Sequence, residues 1–271
     1  AGAAGSDTSV VENAVVTGSF SISAPDGLTS LTLGSTVITA AALAAATPGA
    51  PVVIAGANGA LSITGYNAAT GVVSYSYDPT GTSTNHTAGN VVDSFAVKVT
   101  DPQGDVNTPA ASLDILITDT APTAVADART VTEDATGITG NVVTGVNASA
   151  DTMGADTATV TGAQVGNAGA AQISTGVGSS LAGTYGTLTI AANGTYTYVT
   201  NAAAQALNVG DSKNDVFSYT LKDSDGSFST TTVTMTVTGL SEGPPTVTIP
   251  NDGAGAAGSD TSVVENAVVT G

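Results

Sequence analysis

Cysteine is absent from this 271-residue chain, and so is tryptophan. Without a thiol there is no disulfide staple, no thiolate zinc site and no cysteine nucleophile. Bases are scarce. Lys98, Arg129, Lys213 and Lys222 stand against 22 acids, for a formal net charge of −18. A surface of that sign does not attract nucleic acid or an anionic membrane, both of which need a basic face. No stretch approaches the roughly 18 consecutive apolar residues that cross a bilayer, so no membrane insertion is expected. The one histidine, His86, lies in the polar stretch Thr84–Thr87 with no nucleophile or acid paired to it. It is expected to be solvent-exposed, and the chain is read as not an enzyme. Aromatics are only 4% of residues, a thin supply for a flat sugar-binding platform. Tyr75/Tyr77 and Tyr196/Tyr198 each share a strand face and are expected to pack in a core.

What remains is Ala, Val, Thr, Ser and Gly, with 41% hydrophobic residues. Thr and Val alternate with a period of two, which is the pattern of half-buried strands, and β-branched residues favour the pleated surface. The chain is therefore expected to be all-β. Residues 254–271 repeat residues 1–18, AGAAGSDTSVVENAVVTG, without a change. The offset of 253 residues reads as the period of a longer tandem array.

Each period holds two related units. Asp93, Phe95, Asp101, Gly104 and Ile117 line up with Asp215, Phe217, Asp223, Gly226 and Val237, and Glu12-Asn13-Ala14 parallels Glu133-Asp134-Ala135. The expected organisation is a first domain over 1–118, a linker at 119–122 and a second domain over 123–240. Residues 241–271 then supply a linker and the start of the next copy. Both linkers carry proline, which ends the preceding strand and restricts the crossing. Asn193-Gly194 predicts a tight turn between strands at 188–190 and 196–199. Further hairpins are expected at 216–221 with 232–237, 61–64 with 72–77, and 94–99 with 112–118. Short helices are expected at 39–46 and 201–207. Many short strands with turn signals between them predict a β-sandwich for each domain.

The acids collect at predicted strand ends and linkers. Glu12, Asp93 and Asp119 are expected at the lower pole of domain 1. Asn147, Asp151, Asp156, Asp223 and Asp225 are expected to face them from domain 2. Asp101 and Asp105, with Asp26, face the opposite way, as do Glu133, Asp134 and Asp215 at the far end of domain 2. Crowded carboxylates repel unless a cation sits among them. Ca2+ takes six to eight oxygens in a flexible shell, whereas zinc and iron favour His or Cys. Calcium is thus the expected ion, and these residues, Asp26 aside, are the thirteen candidate ligands. The bland alternative for each is a solvated turn aspartate.

The run Ala126-Asp127…Thr132-Glu133-Asp134, Gly140–Val143, Asn147…Asp151…Asp156-Thr157, Gly183–Leu188, Asn193–Tyr198, Asp215–Tyr219 and Asp223–Ser227 resembles the cadherin-like, VCBS-type repeats of large bacterial surface proteins. Val11–Ala14, Gly18–Phe20 and Tyr75–Pro79 resemble, less specifically, the extender repeats of giant RTX adhesins exported by type I secretion. The resemblance implies tandem Ig-like/cadherin-like β-sandwiches in an extracellular stalk at the bacterial cell surface, serving cell adhesion and biofilm formation. Neighbouring repeats of the same chain would be its partners, with the adhesive target held by other domains. The rival reading is a module that itself binds glycan or protein. The chain is expected to be monomeric, or else to exchange a strand through its tail, because Thr246–Pro250 reads as the first strand of the next copy.

Overall fold

The structure, a computed structural model, describes residues 6–79 and 85–247. Residues 1–5, 80–84 and 248–271 lie outside it, including the second copy of the opening motif and most of the expected strand at 246–250.

Two β-sandwiches follow one another. In the first, one sheet is ordered β1 (Thr8–Val11), β9 (Ala111–Thr118), β8 (Val91–Thr100), β3 (Ser30–Leu33) and β4 (Thr36–Thr39). Its other sheet is β2 (Val16–Ser21), β7 (Val72–Pro79), β6 (Gly59–Asn67) and β5 (Val52–Ala55). In the second sandwich β10 (Asp127–Thr132), β17 (Phe228–Thr238), β16 (Ser212–Asp223) and β12 (Ala158–Val165) form one sheet. The facing sheet is β11 (Ile138–Asn141), β15 (Thr195–Thr200), β14 (Gly186–Ile190) and β13 (Leu181–Ala182). Each predicted hairpin strand lies within an observed one. The expected helix at 39–46 is α1 (Ala40–Ala45), capped by Thr39, whose Oγ1 accepts the Ala42 N–H at 3.2 Å. The one expected at 201–207 is a single 3₁₀ turn, Ala204–Ala206.

Alternation builds both cores. Along β9, Leu113, Ile115 and Ile117 turn inward, and along β17 Val233, Met235 and Val237 do the same. Full burial of each such side chain contributes about 1.5–3 kcal/mol. Tyr75, Tyr77, Tyr196 and Tyr198 are all buried, as their shared faces predict.

One topological feature sets how the units connect. β1 runs parallel to β9, with Thr8 opposite Ile115 and Val11 opposite Thr118. β10 runs parallel to β17, from Asp127 opposite Val233 to Thr132 opposite Thr238. First and last strands point the same way, so the chain enters each sandwich at one pole and leaves at the other. Successive sandwiches therefore meet end to end.

Each sandwich carries the same polar lock inside its core. Asp93 accepts the Asn58 N–H at 3.1 and 3.0 Å, the Asn58 amide at 2.9 Å and the Tyr77 hydroxyl at 2.5 Å. Asp215 accepts N–H groups of Thr184 (2.7 Å) and Tyr185 (2.9 Å) and the Tyr198 hydroxyl (2.8 Å). The loops that supply these donors start at Gly56 and Gly183. A Cβ at Gly183 would stand 2.4 Å from Asp215 Oδ2, and one at Gly56 2.3 Å from Asp93 Oδ2. Only glycine lets the backbone approach that closely. Gly183→Ala is therefore expected to destabilise the second sandwich by about 2 kcal/mol or more. Urea unfolding checks this, and a loss below about 0.5 kcal/mol would contradict the lock.

Candidate metal centre

The joint is built from the end of β1, the linker after β9, a loop before β8, the segment before β12 and the β16–β17 turn. Glu12 follows β1 directly and is buried. Its Oε1 accepts the Thr120 N–H at 3.0 Å, fastening the linker to the first sandwich. Asp119 Oδ2 accepts the Ser227 hydroxyl, fastening the same linker to the second. Gly154 backs the linker, because a Cβ there would stand 2.1 Å from the Thr120 carbonyl oxygen. Asp223 accepts the N–H groups of Asp225 (3.1 Å) and Gly226 (2.8 Å) through Oδ1, which shapes the turn that carries Asp225.

These contacts occupy one oxygen each of Glu12, Asp119 and Asp223. Glu12 Oε2, Asp119 Oδ1, Asp156 Oδ2 and Asp223 Oδ2 are buried without a hydrogen-bond partner. One oxygen from each of Glu12, Asp119, Asp156 and Asp225 lies within 4.8 Å of the others. Oxygens on opposite sides of a Ca2+ ion, with bonds of about 2.4 Å, stand about 4.8 Å apart. The donor set is all oxygen, the choice of a hard cation, and buried carboxylates without partners are costly unless a cation compensates them. The residues present fit calcium.

The electrostatics agree. Burial pushes the Glu12 carboxyl up, and so do Asp156 and Asp119, against the Thr120 N–H and His86. Asp156 is raised by burial and then by Asp225, Asp223 and Asp119. Asp223 is raised by burial too, with Asp119 adding repulsion and the turn N–H groups opposing it.

His86 corrects the expectation of a solvent-exposed residue: it is 6% exposed. Its N–H donates to Asp225 Oδ2 at 2.7 Å, and its Nε2 stands 3.4 Å from Glu12 Oε2. A loop of the first sandwich thus reaches the turn of the second. Nothing local in the sequence around His86 signals this, because its partners Glu12 and Asp225 are distant in the chain and Asp225 belongs to the neighbouring sandwich.

Of the candidate ligands, Glu12, Asp119, Asp156 and Asp225 converge, with Asp223 beside them. Asp93 and Asp215 do not join a joint: both are consumed by the core locks. Asn147 is exposed, in a left-handed turn (φ 56°), with its amide donated to the Thr139 carbonyl at 3.1 Å. Asp151 is turned into the second sandwich, where it accepts the Val125 N–H at 2.8 Å and the Tyr219 hydroxyl at 2.9 Å. Asp101 Oδ1 accepts the N–H groups of Gln103 and Asp105 in a turn at the opposite pole of the first sandwich, and Asp105 is exposed. Glu133 is the counterpart of Glu12. It is fully buried, accepts the Leu240 N–H through Oε1 and leaves Oε2 without a partner. Asp134 beside it is exposed.

Fold and joint together define a class: tandem β-sandwiches coupled pole to pole through shared acidic residues. Residues 119–239, which span the linker and the second sandwich, match the family model of the bacterial cadherin-like domain. Among solved structures, the chain is similar to human mucin-like protocadherin EC1-2 at 15% identity and a TM-score of 0.29, covering 87% of this chain and 96% of that one. It is similar to Drosophila N-cadherin EC1-4 at 16% identity and a TM-score of 0.27, covering 87% and 48%. Protocadherin gamma B7 domains 1–4 match at 11% identity and a TM-score of 0.29, covering 87% of this chain and 50% of that chain. The chain thus spans about half the length of the last two. No curated protein matches the sequence.

A second acidic pair lies away from the joint. Asp127 accepts the Ser149 N–H at 2.6 Å and shares the Tyr219 hydroxyl with Asp151. Burial raises its pKa to about 6, with Asp151 adding to the rise. The folded state then holds a proton that the unfolded chain releases between about pH 4 and the folded value. Stability from this group is complete below about pH 4 and is lost as pH rises through about 6. Asp127→Asn is expected to gain on the native chain between pH 4 and 7 in thermal melts at fixed millimolar Ca2+. Parallel pH profiles for the two would refute it.

Proposed function

We propose that the chain is a spacer repeat from the stalk of a secreted bacterial surface adhesin, stiffened by Ca2+ at the joints between its sandwiches. Its work is mechanical: to extend, to resist bending and to hold a distal binding domain away from the cell, in support of adhesion and biofilm formation. One observation carries the reading. Carboxylates from both sandwiches and from the linker converge within 4.8 Å, with buried oxygens left unpaired. The parallel first and last strands support it by placing entry and exit at opposite poles. The match to a bacterial cadherin-like domain agrees with an extracellular repeat.

The ion would be held by Glu12 from the first sandwich, Asp119 from the linker, and Asp156 and Asp225 from the second. It would cancel the repulsion that raises Glu12 and Asp156 and tie both sandwiches to one centre. Because it binds the folded ligand set, it would also stabilise by mass action. Extracellular calcium modules of this sort bind at about 0.1–1 mM. In a compartment poor in calcium the joint would stay loose, which suits export before folding.

Two measurements test this. In small-angle scattering the maximum dimension and rigidity of the chain should fall when a chelator replaces millimolar Ca2+; a rod of equal stiffness in both conditions removes calcium from the role. In calorimetric titration the double variant Glu12→Gln/Asp156→Asn should lose at least about tenfold in Ca2+ affinity. Without ions it should melt above the ion-free native chain, because the amides remove like charge. A variant that keeps native affinity would overturn the assignment.

A further inference from the structure

The second sandwich begins with a short segment ahead of β10 that closes its pole next to the joint. Thr123 pairs with Thr152, exchanging N–H···O bonds of 2.8 and 2.9 Å. The Ala124 N–H donates to Ser229 Oγ at 3.0 Å, and Ala124 packs against the core. The segment lies between the stretch leading into β12 and the start of β17.

The first sandwich has a cleft at the same place. It measures about 190 Å³ and runs between Ser23–Pro25, in the stretch leading into β3, and Asp105–Asn107, at the start of the return to β9. The correspondence is position by position. Ala24 stands six residues before Ser30, as Thr152 stands six before Ala158, the first residues of β3 and β12. Asn107 stands six residues past Asp101, as Ser229 stands six past Asp223. Val99 lines the cleft, and Val106 on its rim is 49% exposed. Among the described residues nothing takes the place that Thr123–Val125 takes in the other sandwich.

The sequence contains a segment suited to it. Residues 254–271 repeat 1–18, so Pro244–Gly253 is what the repeat sets ahead of a sandwich of the first kind. Pro245-Thr246-Val247-Thr248-Ile249 follows its linker as Pro122-Thr123-Ala124-Val125-Ala126 follows the other. Alternation puts Val247 and Ile249 on one face and the threonines on the other. Val247 is 86% exposed in this chain. We infer that the cleft of the first sandwich is the seat of residues 246–250 of a second copy of the chain, which add there as a strand. In an array the same seat is filled by the preceding repeat.

The chain's own tail does not reach it. The cleft lies at the pole of the first sandwich away from the joint, and the tail leaves the pole of the second away from the joint. β16 alone, with 12 residues, spans about 40 Å at roughly 3.3 Å per residue. The five residues 241–245 reach at most about 18 Å. Docking in trans joins unlike surfaces, so it propagates as open head-to-tail chains rather than closed dimers. It does not depend on the metal assignment, because the cleft contains no joint ligand.

Sedimentation velocity in constant millimolar Ca2+ tests it, from about 1 µM to 1 mM chain. The 271-residue chain should gain average mass with concentration. Val247→Asp/Ile249→Asp, which removes the apolar face that meets Val99 and Val106 and sets two carboxylates against Asp101 and Asp105, should stay monomeric. A chain lengthened by a second Pro244–Gly253 ahead of Ala1, which fills its own seat, should also stay monomeric. The lengthened chain should slow amide exchange at Ser23–Ala24 at least tenfold over the double variant. A native chain that keeps monomer mass up to 1 mM, or association that survives in both variants, overturns the inference.

Discussion

Unpaired buried charge is the constraint around which the joint is organised. Several carboxylates sit where solvent is excluded, and the neighbours of Glu12, Asp119 and Asp223 satisfy only one oxygen of each. The satisfied oxygens do structural work: Glu12 holds Thr120, Asp119 holds Ser227 and Asp223 shapes its turn. The others face one another, and burial together with this repulsion raises the proton affinity of Glu12, Asp156 and Asp223. Folding brings this repulsion together, and a cation or protons relieve it. The same division of labour recurs at Glu133, with one oxygen on Leu240 and the other unpartnered. The motif is therefore modular. Each sandwich ends in a glutamate that ties down its own exit and keeps one oxygen in reserve.

Much of the fold was legible because alternation of Val and Thr against small polar residues leaves few alternatives to strands, and the internal similarity gave two units. The acids of the joint were partly legible too. Glu12, Asp119, Asp156, Asp223 and Asp225 stand at strand ends, where a carboxylate from one unit can meet the next. Asp93 and Asp215 look the same in sequence but differ in environment. They are distinguished from the joint acids by a tyrosine on the facing sheet and by a Gly-x-x-Gly loop that bends its amides onto them. That role is set by tertiary approach, which spacing along the chain does not encode. His86 escaped for the same reason, because its partners Glu12 and Asp225 come from distant parts of the chain.

The two locks also show how little sequence has to persist for a structural device to persist. Asn58 serves Asp93 with its backbone and its side chain, whereas Thr184 and Tyr185 serve Asp215 with two backbone N–H groups. The donors differ in kind and the accepted geometry does not. Glycine, tyrosine and aspartate are the parts held in common. The carboxylate remains buried and hydrogen-bonded in both sandwiches.

The parallel pairing of first and last strands has a further consequence for a molecule under tension. Force that arrives through the linkers pulls β1 and β9 along their length in opposite directions, and β10 and β17 likewise. The ladder between them is then sheared, with its rungs loaded together, instead of being unzipped one rung at a time. The first sandwich has four paired residues in that ladder and the second has six. Stretch should therefore open the first before the second, giving the chain a weaker and a stronger element in series.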